Sequence, residues 1–288
     1  MRLVKRLMQI VALVAIAAGG SAIVEAVQGN WFLALVLGLT VAGVVLAVYG
    51  RLVRWAEGRI PVEVAREGAA AATGRGALIG LAMFLAVVLN LAIFGFYHIE
   101  GFNSLGGALG LFGIMASAAV VEEVLFRGLL FRIVEQWTGT WIALVLSALL
   151  FGLSHLGNPD ATLWGATAIA IEAGCMLAAA YAATRTLWLP IGLHFGWNFA
   201  VGGIFGSVVS GNGASQGLLQ TVTSGPALLT GGAFGPEGSP YAVVFGLVLT
   251  IVFMRLARRR GNLVPMRRRD RQAPVSPAQT DTAVALPQ

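Results

Sequence analysis

The sequence predicts an all-α protein, a polytopic membrane bundle of about eight transmembrane helices with both termini in the cytoplasm. Hydrophobic residues make up 57% of the 288-residue chain and charged residues only 11%, whereas a soluble domain carries about a quarter charged residues. The apolar residues fall into eight runs, most of them near the roughly 20 residues that span a bilayer. Every Lys and Arg lies on one side of this arrangement or inside a span.

Gly, Pro, Asn or charged residues bound each apolar run, as expected at helix ends. The predicted spans are Leu7–Val27, Trp31–Tyr49, Ala77–Tyr97, Leu111–Trp137, Trp141–His155, Leu163–Ala183, Leu187–Gly206 and Tyr241–Met254. An alternative interpretation takes the first run as a cleaved signal peptide, with small residues near Gly19–Ala22. We favour a retained span, because the run is long for a signal peptide and its loss would place the new N-terminus outside.

The positive charges set the predicted orientation. They lie in Met1–Arg6, in Arg51–Arg75, at Arg185 and after the last span, and the other connections carry no Lys or Arg. Cytoplasmic loops carry an excess of these residues, so we expect both termini to lie in the cytoplasm. We expect the protein to lie in the cytoplasmic membrane of the cell. The basic run Arg255–Arg271 is typical of an anchor on anionic lipid, so we expect the bilayer, and no nucleic acid, as its partner.

Composition divides the chain into four regions. Residues 1–110 form N-terminal spans joined by a cytoplasmic loop, 51–76, in which we expect a short amphipathic helix. Residues 111–206 form a core, and 207–257 form an external loop and the last span. Residues 258–288 form a basic tail that is predicted to be disordered, because its end is rich in Pro, Ala and Thr.

Polar side chains inside the spans cluster in the core region. Such residues are costly in a membrane and are functional hypotheses by default. The set comprises Glu122, Glu123, Arg127, His155, Glu172, His194 and Asn198. Glu122 and Glu123 stand about 100° apart on a helix, and Arg127 follows Glu123 at the favourable i+4 position. We therefore predict that Glu123 neutralises Arg127 and that Glu122 points at a reacting centre, although a purely structural role for the ion pair is equally open.

The other members of the set lie on two further spans. His155 ends the fifth span, and His194 and Asn198 share one face of the seventh because they are four residues apart. Gly192 and Gly196 leave room there for a neighbouring helix.

Helix rise gives the depth of these residues in the membrane. At about 1.5 Å per residue, Glu122, His155 and Asn198 lie roughly 15–20 Å from the cytoplasmic ends of their spans, with His194 nearer. These depths are similar enough for the residues to form a single site, provided that the fourth helix continues to Trp137.

This set suits hydrolysis by an activated water. Glu122 with His155 can hold and deprotonate a water, and His194 and Asn198 can donate hydrogen bonds to the oxyanion of a tetrahedral intermediate. Alternatively, His155, His194 and Glu122 ligate Zn²⁺, which activates the water. The sequence contains no H-E-x-x-H, so the usual zinc-protease helix is absent.

Three ordered motifs, E-E-x-x-x-R, F-x-x-x-H and H-x-x-x-N, carry a family resemblance. They are Glu122-Glu123 with Arg127, Phe151 with His155, and His194 with Asn198. Over Leu111–Gly206 the chain resembles the CAAX-protease and bacteriocin-processing (CPBP, or Abi) family of intramembrane proteases.

The resemblance implies endopeptidase activity on a peptide or protein substrate at the membrane, such as a lipid-modified C-terminus. It implies that Glu122, His155, His194 and Asn198 carry the chemistry. It leaves open whether zinc is bound or a glutamate activates the water alone, and whether the substrate is prenylated, a bacteriocin precursor or another membrane protein.

Glu172 lies outside the three motifs. It either supports His194 or Arg127 or is solvated near the outer interface. Two other functions remain as alternatives: a non-catalytic scaffold or bacteriocin-immunity protein with the same fold, and a transporter with a proton relay. The transporter is disfavoured, because polar residues gather in one half of the chain and no internal repeat is visible.

Overall fold

The computed structural model describes residues 2–213 and 215–266, and its architecture is a helix bundle. The long helices are α1 (Arg2–Ala26), α2 (Trp31–Glu57), α3 (Ala69–Ile93), α4 (Leu105–Thr138), α5 (Thr140–Gly157), α6 (Leu163–Thr184), α7 (188–204) and α8 (Pro240–Arg259). Within the described residues, seven of them, all but α7, are long and apolar enough to cross a membrane. The predicted multi-pass membrane bundle is confirmed. Of the predicted disordered tail, residues 267–288 lie outside the described part.

Helix α7, the seventh predicted span, lies inside the bundle. It consists of an α-helical segment, Trp188–Asn198, and a π-helical segment, Phe199–Ile204, and most of its residues are buried. Helices α1 and α2 instead expose many large apolar side chains. A helix that is buried on most faces packs against protein rather than lipid. α7 is therefore a central helix that presents its polar residues to the other helices.

The connection between α2 and α3 is shorter than predicted. α2 continues past Tyr49 to Glu57 and ends at Gly58, whose φ of 68° is the left-handed conformation that commonly closes helices. α3 then begins at Ala69, so the only helical turn between them is the three-residue Val62–Val64. The expected amphipathic helix is wrong, because the residues that would have formed it extend α2 and α3.

Ion pairs join the cation-bearing segments at one end of the bundle, which we call the basic end. Arg132 of α4 donates to Glu57 of α2 at 2.7 Å, and Arg59 donates to the same carboxylate at 2.8 Å. Gln9 of α1 donates to Glu57 at 2.9 Å. These bonds tie α1, α2 and α4 together close to the ends of α2 and α4.

Loops cover the opposite end of the bundle. Strand β1 (Tyr97–Phe102) pairs antiparallel with strand β2 (Leu219–Thr223), a small sheet that was not predicted. The loop between α7 and α8 is also bonded to the α5–α6 region. Asn158 donates to the carbonyl of Ser210 at 2.6 Å, and Trp164 donates to the carbonyl of Gly238 at 2.8 Å. The α7–α8 loop therefore folds over the helix ends instead of extending away from them.

Glycines allow α3 and α7 to pack backbone against backbone. A methyl group at Gly192 of α7 would overlap the carbonyl of Thr73, and one at Gly196 would overlap Ala77. On the α3 side, a methyl group at Gly76 would overlap the carbonyl of Leu189. The close helix approach predicted from the two α7 glycines is confirmed, and it brings α3 against the helix that carries His194 and Asn198.

We expect Gly76→Ala to lower the free energy of unfolding by about 1–3 kcal/mol, because the added methyl group forces the two helices apart. Gly74→Ala is the matched control on the same helix, since nothing lies within 4 Å of a methyl group there. That control should be neutral or stabilise by about 0.5–1 kcal/mol. Unfolding by sodium dodecyl sulfate in mixed micelles measures both. Equal values for the two variants would contradict the close crossing.

Candidate functional site

The Glu123–Arg127 pair of α4 is fully buried. Nη1 of Arg127 donates to Oε1 of Glu123 at 2.7 Å, and both side chains are 0% exposed. Nη2 of Arg127 donates to the carbonyl of Gly174 on α6 at 3.0 Å. The guanidinium also lies 4.5 Å from the centroid of the Phe151 ring on α5, within range of a cation–π interaction. The predicted pair is confirmed, and it joins three helices.

Each of the three helices α4, α6 and α7 is π-helical where it meets the site. The segments are Val124–Phe131, Ala170–Cys175 and Phe199–Ile204. A π-helical turn disturbs the regular backbone ladder and is frequent at functional sites. The carbonyl of Gly174, which accepts from Arg127, lies in the α6 segment. These segments were not predicted from the sequence.

His194 lies between the two glutamates of α4. Its Nδ1 is 3.1 Å from Oε1 of Glu123, and its Nε2 is 3.9 Å from Oε2 of Glu122. A carboxylate only accepts hydrogen bonds, so Nδ1–H donates to Glu123. Glu123 therefore holds both Arg127 and His194, whereas the sequence predicted only the first partner. Glu122 is near the imidazole but makes no hydrogen bond to it.

Phe151 and His155 bring the second motif to the same place. Nδ1 of His155 is 2.8 Å from the carbonyl oxygen of Phe151, so this nitrogen carries the proton and Nε2 is left as an acceptor. The Phe151 ring lies 5.0 Å from the His155 ring and 5.9 Å from the His194 ring. Because the same ring lies beneath Arg127, Phe151 contacts all three motifs.

One cavity is lined by His155, His194 and Asn198, together with Glu172 of α6. Phe151 lines it as well, so the structure brings five of the predicted residues together from three helices. Glu122 is not in the lining, and its connection to the cavity runs through His194.

Glu172 is completely buried and faces this cavity. It is 0% exposed, which excludes the solvated position considered above. Neither carboxyl oxygen has a hydrogen-bond partner among residues 2–213 and 215–266, so the predicted support of His194 or Arg127 is not made through a direct bond. Gly246 of α8 packs on its backbone, where a methyl group would overlap the Glu172 Cα.

Sequence analysis missed Glu237, which enters the cavity from the α7–α8 loop. It is 2% exposed. One carboxyl oxygen accepts from Nε1 of Trp197 at 2.6 Å, and the other accepts from Oγ and the amide of Ser210. Burial raises the pKa of the Glu237 carboxyl above its ordinary value, although these bonds and nearby His155 act in the opposite direction. One signal was available, since Glu237 is the only charged residue between Ser207 and Pro240.

The predicted zinc ligands do not form a metal site as they are arranged. In the part of the chain that the structure describes, no three His, Cys, Asp or Glu side chains lie close enough together to hold a metal ion. The Nδ1 atoms of His155 and His194 are hydrogen-bonded to the Phe151 carbonyl and to Glu123, so only their Nε2 atoms could bind a metal. We therefore assign no step to a metal, and zinc stays a prediction.

The geometry around Phe151 unites motifs that lie within one continuous stretch of sequence. Residues 104–200 match the family model described as type II CAAX prenyl endopeptidase Rce1-like. This stretch is similar to the Rce1-like family. The matched stretch is about a third of the chain and includes all three motifs, which confirms the predicted resemblance to CAAX proteases. The Rce1-like match implies a protease in a multi-pass membrane protein. No curated protein and no solved structure matches the chain.

Proposed function

We propose that the chain is an intramembrane endopeptidase in which a water activated by Glu122 and His155 attacks a peptide bond of a membrane-proximal substrate. The observation that carries the proposal is the convergence of three motifs on one buried group, in which Glu123 bonds to His194 and Phe151 contacts both histidines. An Rce1-like match over the same residues supports it.

Glu122 is suited to act as the general base. Its side chain is 29% exposed, unlike that of the fully buried Glu123. Its Oε2 is buried and has no hydrogen-bond partner among the described residues, so no protein donor occupies the atom that would accept the proton. His155 presents Nε2 as a second acceptor, because its Nδ1–H is held by the Phe151 carbonyl. The two groups together orient the water and take its proton as the C–O bond forms.

His194 and Asn198 are suited to stabilise the oxyanion. Glu123 fixes the imidazole of His194 through Nδ1, so in the protonated ring Nε2–H is the remaining donor. Asn198 lies one helical turn further along α7 and lines the same cavity. Both donors thus project from one rigid helix, and Arg127 balances the charge of Glu123 beside them. As the tetrahedral intermediate collapses and its C–N bond breaks, the proton taken by Glu122 passes to the leaving amine.

The proposed substrate is a peptide at the membrane, such as a prenylated CAAX-like C-terminus. The Rce1-like family description supports this class. We also propose that both termini are cytoplasmic in a cytoplasmic membrane, because the cation-bearing segments meet at the basic end.

Cleavage of a panel of prenylated and unmodified peptides by the detergent-purified protein tests the proposal, with zinc measured on the same sample. We expect cleavage, and we expect Asn198→Ala to lower kcat by about 10²–10³-fold with a small change in KM, because one oxyanion donor is lost. Asn90→Ala is the matched control, since Asn90 lies within α3 and donates only to the Ala86 carbonyl. A folded wild type that cleaves no peptide would favour the scaffold or immunity protein.

A further inference from the structure

The cavity contains two carboxyl groups that the proposed mechanism does not use, those of Glu172 and Glu237. They differ in their bonding. Glu237 is held by Trp197 and Ser210 through both of its oxygens. Glu172 is equally buried, yet neither of its oxygens has a hydrogen-bond partner in the described parts of the chain. A buried carboxylate without a partner is costly, unless it is protonated or a cationic ligand pairs with it.

The surroundings of Glu172 are fixed by packing. Its backbone lies in the π-helical segment of α6 and is covered by Gly246 of α8 on one side. Glu237 lines the same cavity as Glu172, and it is itself fixed to α7 through Trp197. The two carboxyl groups are therefore held in place before any ligand arrives. The cavity has room for only about one water molecule, so a larger ligand group enters by displacing the side chains that line it.

Charge around the cavity favours a cation. Glu122, Glu123, Glu172 and Glu237 border the cavity or contact His194, which lines it. The guanidinium of Arg127 is the one permanent cation in contact with this group among the described residues, and Glu123 and the Gly174 carbonyl already occupy it. A positively charged ligand group would neutralise the excess of carboxyl groups near Glu172.

We infer that Glu172, with Glu237 beside it, binds the positively charged side chain of a lysine or arginine of the peptide substrate. This inference rests on the proposed peptidase function, because the same cavity holds His155, His194 and Asn198. A basic residue seated on Glu172 places the neighbouring peptide bond beside the histidines. The enzyme is therefore selective for substrates with Lys or Arg close to the cleaved bond.

Binding to the Glu122→Gln variant tests this selectivity without requiring cleavage. The probe is a positional-scanning peptide library, prenylated and unmodified, that carries Lys, Arg or the uncharged isostere norleucine at each varied position. We expect Lys or Arg to bind at least about 10-fold tighter than norleucine at one position, as for a charge pair removed from water. In the Glu122→Gln/Glu172→Gln double variant this ratio should fall towards one. Glu100→Gln, an exposed carboxyl on β1, is the control and should keep the ratio.

The outcomes separate this inference from the proposed function. No preference for Lys or Arg at any position, or a preference that survives Glu172→Gln, overturns the basic-residue site. Zn²⁺ binding that excludes the basic peptides and is lost in Glu172→Gln also overturns it, in favour of a metal. If wild type cleaves peptides without such a preference, the proposed peptidase function is supported and the basic-residue site is refuted. Conversely, peptides that bind through Glu172 but are never cleaved support the site and count against the peptidase.

Discussion

Glu122→Gln is expected to lower kcat for peptide cleavage by about 10²–10⁴-fold, the usual contribution of a general base. Glutamine has the shape of glutamate but cannot take a proton from water. Stability should change little, because the Glu122 side chain is partly exposed and its Oε2 makes no hydrogen bond to the described residues. Rates from quenched fluorescent peptides, together with thermal unfolding of the same samples, measure both quantities.

Two comparisons sharpen this experiment. Glu25→Gln removes an exposed carboxylate of α1 and should leave the rate unchanged. Glu123→Gln should lower both rate and stability, since Glu123 holds Arg127 and His194 in the buried interior. Cleavage by Glu122→Gln within a few-fold of wild type would show that another group deprotonates the water. The adjacent glutamates would then have to exchange their proposed roles or lose them.

Arg127→Met is expected to lower the free energy of unfolding by about 3–5 kcal/mol, the usual cost of removing one partner of a buried ion pair. The carboxylate of Glu123 would remain at 0% exposure without its cation. The contacts with the Gly174 carbonyl and the Phe151 ring would be lost as well, and these join α4 to α6 and α5. Unfolding by sodium dodecyl sulfate in mixed micelles gives the free energy.

Part of the lost free energy of unfolding should be recovered in a double variant. Glu123→Gln/Arg127→Met removes both charges, so it should be more stable than Arg127→Met alone, although His194 loses its carboxylate partner. Arg75→Met is the surface control, because Arg75 is exposed and donates only to the Ala71 carbonyl. If Arg127→Met were no less stable than Arg75→Met, the buried pair would not stabilise the bundle.

Local features of the sequence were sufficient for the helices and for part of the site. The predicted span Leu163–Ala183 is the helix Leu163–Thr184, since hydropathy over about 20 residues reflects what a bilayer requires. The Glu123–Arg127 pair followed from i, i+4 spacing on one helix. The bounds of the loop 51–76 were harder to predict, because a run of charged residues does not show where α2 ends.

The remaining features of the site depend on contacts between segments that are distant in the sequence. The bond from His194 to Glu123 joins residues that are 71 positions apart, and no periodicity within either helix indicates it. The bond from Trp197 to Glu237 is of the same kind, since it depends on how the α7–α8 loop folds over the bundle. The burial of Glu172 likewise depends on α8 packing behind it.

The sequence by itself determined the fold class, the approximate course of the long helices and the three motifs, because hydropathy and helical spacing act within a single helix. Only the tertiary structure decided that Glu123 serves both Arg127 and His194, that α7 is central, and that Glu172 and Glu237 share a cavity with His155. The reason is physical: a buried polar group takes its partners from whichever helix packs against it, and that choice is made by the shape of the whole bundle.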